Sequence, residues 1–165
     1  MNKRIRQYAG ILSAAAAYYA VHEGAHLICA LVMGTFRQMN FMGLGMQIDV
    51  YAERMTEMQL GIFCISGSIA TLVSAYILAL LADWICRSSS KIFKACMYYI
   101  TIAMLFLDSV YLSLLSGLFG GGDMNGIAML IPQLPAKLAY AGLFAVNLTL
   151  FLKLVLPKYR SAFKE

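Results

Sequence analysis

Apolar residues in this chain gather into long unbroken runs, not into the stripes of a water-exposed domain. Four runs reach the roughly 20 residues needed to cross a hydrocarbon core of about 30 Å: Tyr8 to Met33, Leu60 to Ile85, Ile92 to Phe119 and Lys137 to Leu156. Lipid offers backbone groups no hydrogen-bond partner, so each run is expected to be a helix. The first follows Lys3, Arg4 and Arg6 as a signal peptide would, but it is too long for an h-region and carries His22, Glu23 and His26. It reads as a retained span.

Two intervals break the pattern. In the first, Gly34 to Gln59, the residues Met42, Leu44, Met46, Ile48 and Val50 alternate with Gly43, Gly45, Gln47 and Asp49. That period of two predicts a strand or short hairpin over Asn40 to Val50. The second, Gly120 to Ala136, opens on three glycines and holds Pro132 and Pro135, which predicts a broken, re-entrant segment. With no internal repeat, low-complexity tract or long linker, residues 1–165 read as a single integral membrane domain. The expected fold is an all-α membrane protein of about four transmembrane helices, with a short membrane-associated β-hairpin after the first.

Composition narrows the class. Of the 165 residues, 61% are hydrophobic and 13% charged, about half the charged share of a soluble domain, and the mean hydropathy is +0.73. A net charge of +5 would suggest nucleic acid in a soluble protein, but the cations flank apolar runs instead of forming a stripe, so that partner is excluded. Cys29, Cys64, Cys86 and Cys96 form no C-x-x-C pair and lie in or beside apolar runs, so no disulfide framework is expected. An inside N-terminus puts ten cations (Lys3, Arg4, Arg6, Arg87, Lys91, Lys94, Lys153, Lys158, Arg160 and Lys164) toward the cytoplasm and leaves Arg37, Arg54 and Lys137 outside. This split predicts a multi-pass protein of the cell membrane with both termini in the cytoplasm.

The chemistry concentrates in His22-Glu23-Gly24-Ala25-His26, inside the first run. Histidines four apart project from one helical face, the spacing two ligands of one zinc ion require. Glu23 lies about 100° round the helix from His22, placed to reach a water at the metal without ligating it, as the general base does in H-E-x-x-H hydrolases. Catalytic zinc usually takes three protein ligands. The leading third candidate is Asp123, which follows Gly120, Gly121 and Gly122 on the same membrane side as His26. Asp108, mid-span, is a second candidate that could equally bond a neighbouring Ser or Tyr. Glu53, Glu57 and Cys29 are weaker ones, better read as a solvated face and as packing. Gly67, Ser68, Ala70 and Ser74 give the second run a small-residue face able to pack on Ser13 to Ala17. Asn125 could bond a substrate carbonyl or orient Asp123, or serve turn chemistry, and Asn147 is expected to bond between helices.

These features resemble the site-2 protease family of intramembrane zinc metalloproteases. The His22-Glu23-Gly24-Ala25-His26 run matches that family's zinc motif within a span. Ile65-Ser66-Gly67-Ser68-Ile69-Ala70-Thr71 resembles its Gly-Pro-x-Ala-Asn helix. Gly122-Asp123-Met124-Asn125-Gly126 sits where the family places its Asp-Gly ligand motif, departing from the usual Asn-Pro-Asp-Gly or Leu-Asp-Gly. The likeness covers roughly Val21 to Gly126, a three-helix core with the fourth span outside it, and no interval could hold a PDZ or CBS domain. It implies that Asn40 to Val50, with Met42, Leu44 and Met46, corresponds to a hairpin contacting substrate. Family members usually open the active site nearer the cytosol, opposite to the charge count here.

The expected activity is zinc-dependent hydrolysis of a peptide bond in or near a transmembrane segment of a membrane protein or peptide precursor. Zinc is held by His22, His26 and Asp123, and Glu23 is the base. The rival is a non-catalytic membrane scaffold that binds metal or substrate without cutting. Such a scaffold would have no use for Glu23.

Overall fold

The computed structural model describes residues 2–42, 45–118 and 122–164. Gly43, Leu44, Phe119, Gly120 and Gly121, which figure in the expectations above, lie outside them. The chain begins with α1, Lys3–Val32, a 30-residue helix whose N-cap Asn2 accepts a hydrogen bond from the Arg4 amide. Apart from Glu23, its buried positions Gly10, Ala14, His22, His26 and Ala30 are spaced by four or eight residues, with half-buried Tyr18 completing a series of fours. One stripe of α1 therefore faces the bundle and carries both histidines inward.

Past Met33 the chain turns at Gly34, whose φ of 66° is the left-handed conformation that glycine adopts freely after a helix end. Strands β1 (Phe36–Met42) and β2 (Gly45–Val50) form an antiparallel hairpin. The alternation had suggested Asn40 to Val50, but the pairing reaches back to Phe36, with an irregularity between Phe36 and Gln38. The first partner strand, with Arg37, Gln38 and Asn40, lacks a clean apolar alternation and was not visible by that rule. Thr35 ties the hairpin to the helix: its amide donates to the Ala30 carbonyl at 2.9 Å, and its carbonyl accepts from the Tyr51 amide at 2.9 Å.

Helix α2, Glu57–Leu80, starts in a capping box in which Thr56 and Gln59 satisfy each other's backbone amides. A break at Leu81 leads to α3, Ala82–Cys86, so the expected run to Ile85 is two pieces. Next come α4, Lys91–Val110, and a π turn, Tyr111–Leu115. The expected broken segment proves to be a short helix, α5, Asp123–Leu130, followed by an extended Ile131 and Pro132. Helix α6, Gln133–Leu150, passes through a second π turn, Phe151–Val155, into α7, Leu156–Ala162. That π turn lies just ahead of Pro157, which has no amide to donate and whose ring crowds the preceding turn.

Three helical stretches are long and apolar enough to cross a membrane: Glu57–Leu80, Lys91–Leu115 and Gln133–Ala162. The last begins and ends outside the expected Lys137 to Leu156. Helix α1, at 30 residues, is as long as the last of these, but it is diluted by its tyrosines, His22, Glu23 and His26, and it packs along α4 and α2. Large side chains on the outer faces are bare, among them Leu12, Val32, Leu80 and Leu114, as lipid-facing positions would be. Asn147 does bond between helices, donating to the Leu105 carbonyl at 2.6 Å and accepting from the Tyr76 hydroxyl at 3.1 Å.

Candidate metal centre

His22 and His26 face the interior from α1, and α5 brings Asp123 to them. The Nε2 atoms of the two histidines are 3.1 Å apart. Asp123 Oδ2 lies 3.1 Å from the Nε2 of His22 and 3.4 Å from that of His26. Tetrahedral zinc with bonds of about 2.0–2.1 Å spaces its ligand atoms about 3.3 Å apart, so this triangle has the dimensions of one face of such a tetrahedron.

The proton bookkeeping favours a cation at its centre. His26 Nδ1 is 2.8 Å from the Phe63 carbonyl, which can only accept, so Nδ1 carries the proton and Nε2 presents a lone pair. Ser66 Oγ, 3.3 Å from the same Nδ1, also donates to the Phe63 carbonyl at 2.7 Å. His22 Nδ1 is buried without an aligned hydrogen-bond partner and has Asp108 Oδ1 at 3.3 Å. A proton on Nδ1 facing that carboxylate leaves the second Nε2 as a lone pair too. Two imine nitrogens and a carboxylate oxygen then converge with no donor among them, and this group could hold a metal ion.

Asp108 is thus at the site without belonging to the triangle. It accepts from Tyr18 at 2.5 Å and from the Thr71 hydroxyl, and Tyr18 also stacks on the His22 ring with centroids 5.2 Å apart. This is the carboxylate–histidine pattern that orients metal ligands from behind. Asp108, the second ligand candidate, reaches the rear nitrogen of His22 and not the ligand face. The bond to a neighbouring tyrosine, weighed for it from sequence, is present.

Glycines set the close approaches. Helix α2 lays Gly67 on both imidazoles, where a β-carbon would be 2.6 Å from His26 Nε2 and 2.7 Å from His22 Nε2. Gly67, expected as part of a small-residue face able to pack on Ser13 to Ala17, lies against the histidines. Gly122, with φ 46°, turns the chain into α5 at Asp123, and Gly126 lets α5 press on Cys64 and the Leu60 carbonyl.

Glu23 is buried beside the histidines, and its Oε2 accepts a hydrogen bond from the Ile48 amide of β2 at 3.0 Å. A cavity of about 440 Å³ opens here, bounded by His22, Glu23, His26 and Asp123 on one side and by Met46 and Ile48 of the hairpin on the other. Of the remaining expected residues, Met42 ends β1 opposite Gly45, and Asn125 lies on the exposed side of α5, its amide bonded to the Gly122 carbonyl at 3.1 Å. Glu53 and Glu57 are exposed, and Cys29 packs against the apolar cluster around Phe63. None of these three joins the triangle. Sequence reasoning missed Tyr18, Thr71 and Gly67 as parts of the site. The signal for Tyr18 was its place one turn before His22 on the same face.

No protein-family model, curated protein or solved structure matches this chain.

Proposed function

We propose that the protein is an intramembrane zinc metallopeptidase that hydrolyses a peptide bond in or near a transmembrane segment of another membrane protein or of a peptide precursor. The observation that carries the proposal is the triangle of His22, His26 and Asp123 with a buried glutamate beside it, in one cavity bordered by a strand. Two nitrogens and one carboxylate oxygen suit zinc in a catalytic role, because three protein ligands keep the fourth position open. In this reading α1 is a fourth span.

Zinc held there would supply Lewis acidity, making a water more acidic and polarising the scissile carbonyl. Glu23 takes the proton as the water oxygen adds to the carbonyl carbon. When the carbon–nitrogen bond breaks, Glu23 passes that proton to the departing amine. Asp108 and the Phe63 carbonyl hold the two imidazoles in the tautomer that offers Nε2. The Ile48 amide is directed at Glu23 and not into the β1 ladder, so the outer edge of β2 faces the cavity. A helical substrate segment hides its carbonyls in i to i+4 bonds and must unwind to be cut, and that edge is suited to hold it extended, with Met46 beneath. Asn125 is a further candidate for a substrate contact.

The test is Glu23→Gln, which keeps shape but cannot accept the proton. Metal content should match wild type, while cleavage of a co-expressed membrane-spanning substrate should fall by about 10²–10⁴-fold. Wild-type turnover in this variant would leave the non-catalytic scaffold as the surviving reading.

A further inference from the structure

The other end of the bundle carries a second cavity, of about 330 Å³, between the start of α1, the first turns of α4 and the residues after α7. Lys3 lies about 28 Å from His22 along α1 at 1.5 Å per residue, so this cavity is separate from the metal centre. Its walls are Lys3, Arg6, Tyr98, Tyr99 and Phe163.

The cavity is built, not merely left over. The Tyr99 ring lies against Gly10 of α1 so closely that any side chain at position 10 would collide with it. Lys94, only 5% exposed, donates to the Ala162 carbonyl at 2.8 Å and so fastens the end of α7 to α4. Phe163 is thereby placed between two cations: Arg6 lies 5.7 Å and Lys94 6.0 Å from its ring centroid. Among the described residues, no carboxylate forms an ion pair with Lys3, Arg6 or Lys94, and Asp83 of α3 is paired with Lys158 at 2.7 Å. The first turns of α1 line the cavity through Lys3 and Arg6, adding a positive dipole end. Three cations with no counter-charge among the described residues, set around aromatic rings where the apolar helices end, present a polar anion socket next to a lipid-like surface.

We propose that this cavity binds the phosphate headgroup of an anionic phospholipid, with Lys3 and Arg6 on the phosphate and the rings of Tyr98, Tyr99 and Phe163 against the glycerol and upper acyl chain. Basic pockets at the ends of membrane helices recognise such headgroups through this combination of charge and apolar wall. The proposal rests on the membrane reading of the chain and not on catalysis, so the inactive Glu23→Gln protein should bind lipid as wild type does.

The experiment is native mass spectrometry of the detergent-purified full chain, titrated with dioleoyl-phosphatidylglycerol or dioleoyl-phosphatidylcholine. Wild type should retain the anionic lipid preferentially. The double variant Lys3→Gln/Arg6→Gln should bind it about tenfold more weakly. Arg87→Gln/Lys153→Gln, which removes the same charge away from the cavity, should bind it normally. Elution of each variant as a monodisperse species on size exclusion separates lost binding from lost folding. Equal losses in both double variants would mean diffuse attraction and overturn the proposal, as would a wild type indifferent to headgroup charge. Displacement of the lipid by millimolar inorganic phosphate would overturn it by marking a free-anion site.

Discussion

A β-carbon on Gly67 would sit 2.6 Å from Nε2 of His26, which makes the backbone of α2 the wall against which the two candidate ligand histidines rest. Both imidazoles are held between this wall and their own helix, while Phe63 packs against the His26 ring at 4.7 Å between centroids. The ligand atoms are therefore placed by backbone contact as well as by hydrogen bonds. Rigid placement of this kind is what a metal site needs if its geometry is to exist before the ion arrives.

Gly67→Ala should therefore damage the site without touching a ligand. The added methyl must push both rings or part α1 from α2, and overpacking of that kind costs about 1–3 kcal/mol. Zinc affinity of the purified protein should drop by about tenfold or more, measured by competition with a chromophoric chelator. Ser68→Ala, next to it but bonded to Tyr140 at 2.7 Å, should leave zinc affinity unchanged.

Asp123 and Asp108 should separate by degree. Removing Asp123 takes away one corner of the triangle, so Asp123→Ala should abolish stoichiometric zinc and activity together. Asp108→Asn removes the charge behind His22 and disturbs the acceptor shared by Tyr18 and Thr71. Loss of such a supporting partner typically costs about 10–100-fold in metal affinity. A metal-replete, fully active Asp123→Ala protein would exclude it as the third ligand.

The contrast between these two aspartates shows where the sequence was informative. His22, Glu23 and His26 were legible because a helix of known pitch fixes the relative direction of residues four apart, and Asp123 because a glycine triplet announces a break. The place of Asp108 behind His22 was not legible because depth along a helix does not give the rotation between two helices, and that rotation turns it onto Nδ1 of His22. Likewise the alternation of Met46 and Ile48 revealed β2, whereas β1 rests on pairing with β2 and carries little periodic signal of its own. Three of the four expected spans were legible from length and apolarity, but their ends were not: Pro157 lies inside the last helical stretch, where a π turn absorbs it, and Leu81 ends α2 with no glycine or proline to mark the break.

Orientation can be read directly. The excess of cations near Lys3, Lys94 and Arg160 predicts a cytoplasmic location for that end, with the hairpin on the opposite side. In a background without native cysteines, a cysteine at Ser89, exposed in the α3–α4 turn, should resist membrane-impermeant maleimide in intact cells, while one at exposed Gln38 should label. Labelling at 89 from outside would place the candidate metal site toward the cytoplasm.

The hydrogen bond from the Ile48 amide to Glu23 gives the most discriminating test of how the hairpin serves the site. At 3.0 Å it fixes the carboxylate's direction, and it is a backbone bond, so side-chain replacement alone should not remove it. Ile48→Ala loses buried contacts, since Ile48 is 4% exposed, but keeps the donor. Ile48→Pro loses the donor as well. If the amide positions the base, the alanine variant should be less stable yet keep most of its kcat, while the proline variant should lose about 1.5–3 kcal/mol of charged hydrogen bonding, equivalent to a further tenfold or more in kcat. Zinc content should stay near wild type in both, because neither change touches His22, His26 or Asp123. Equal kcat in the two variants, with folding verified by thermal melting, would show that the hairpin contributes packing alone and that Glu23 finds its direction without Ile48.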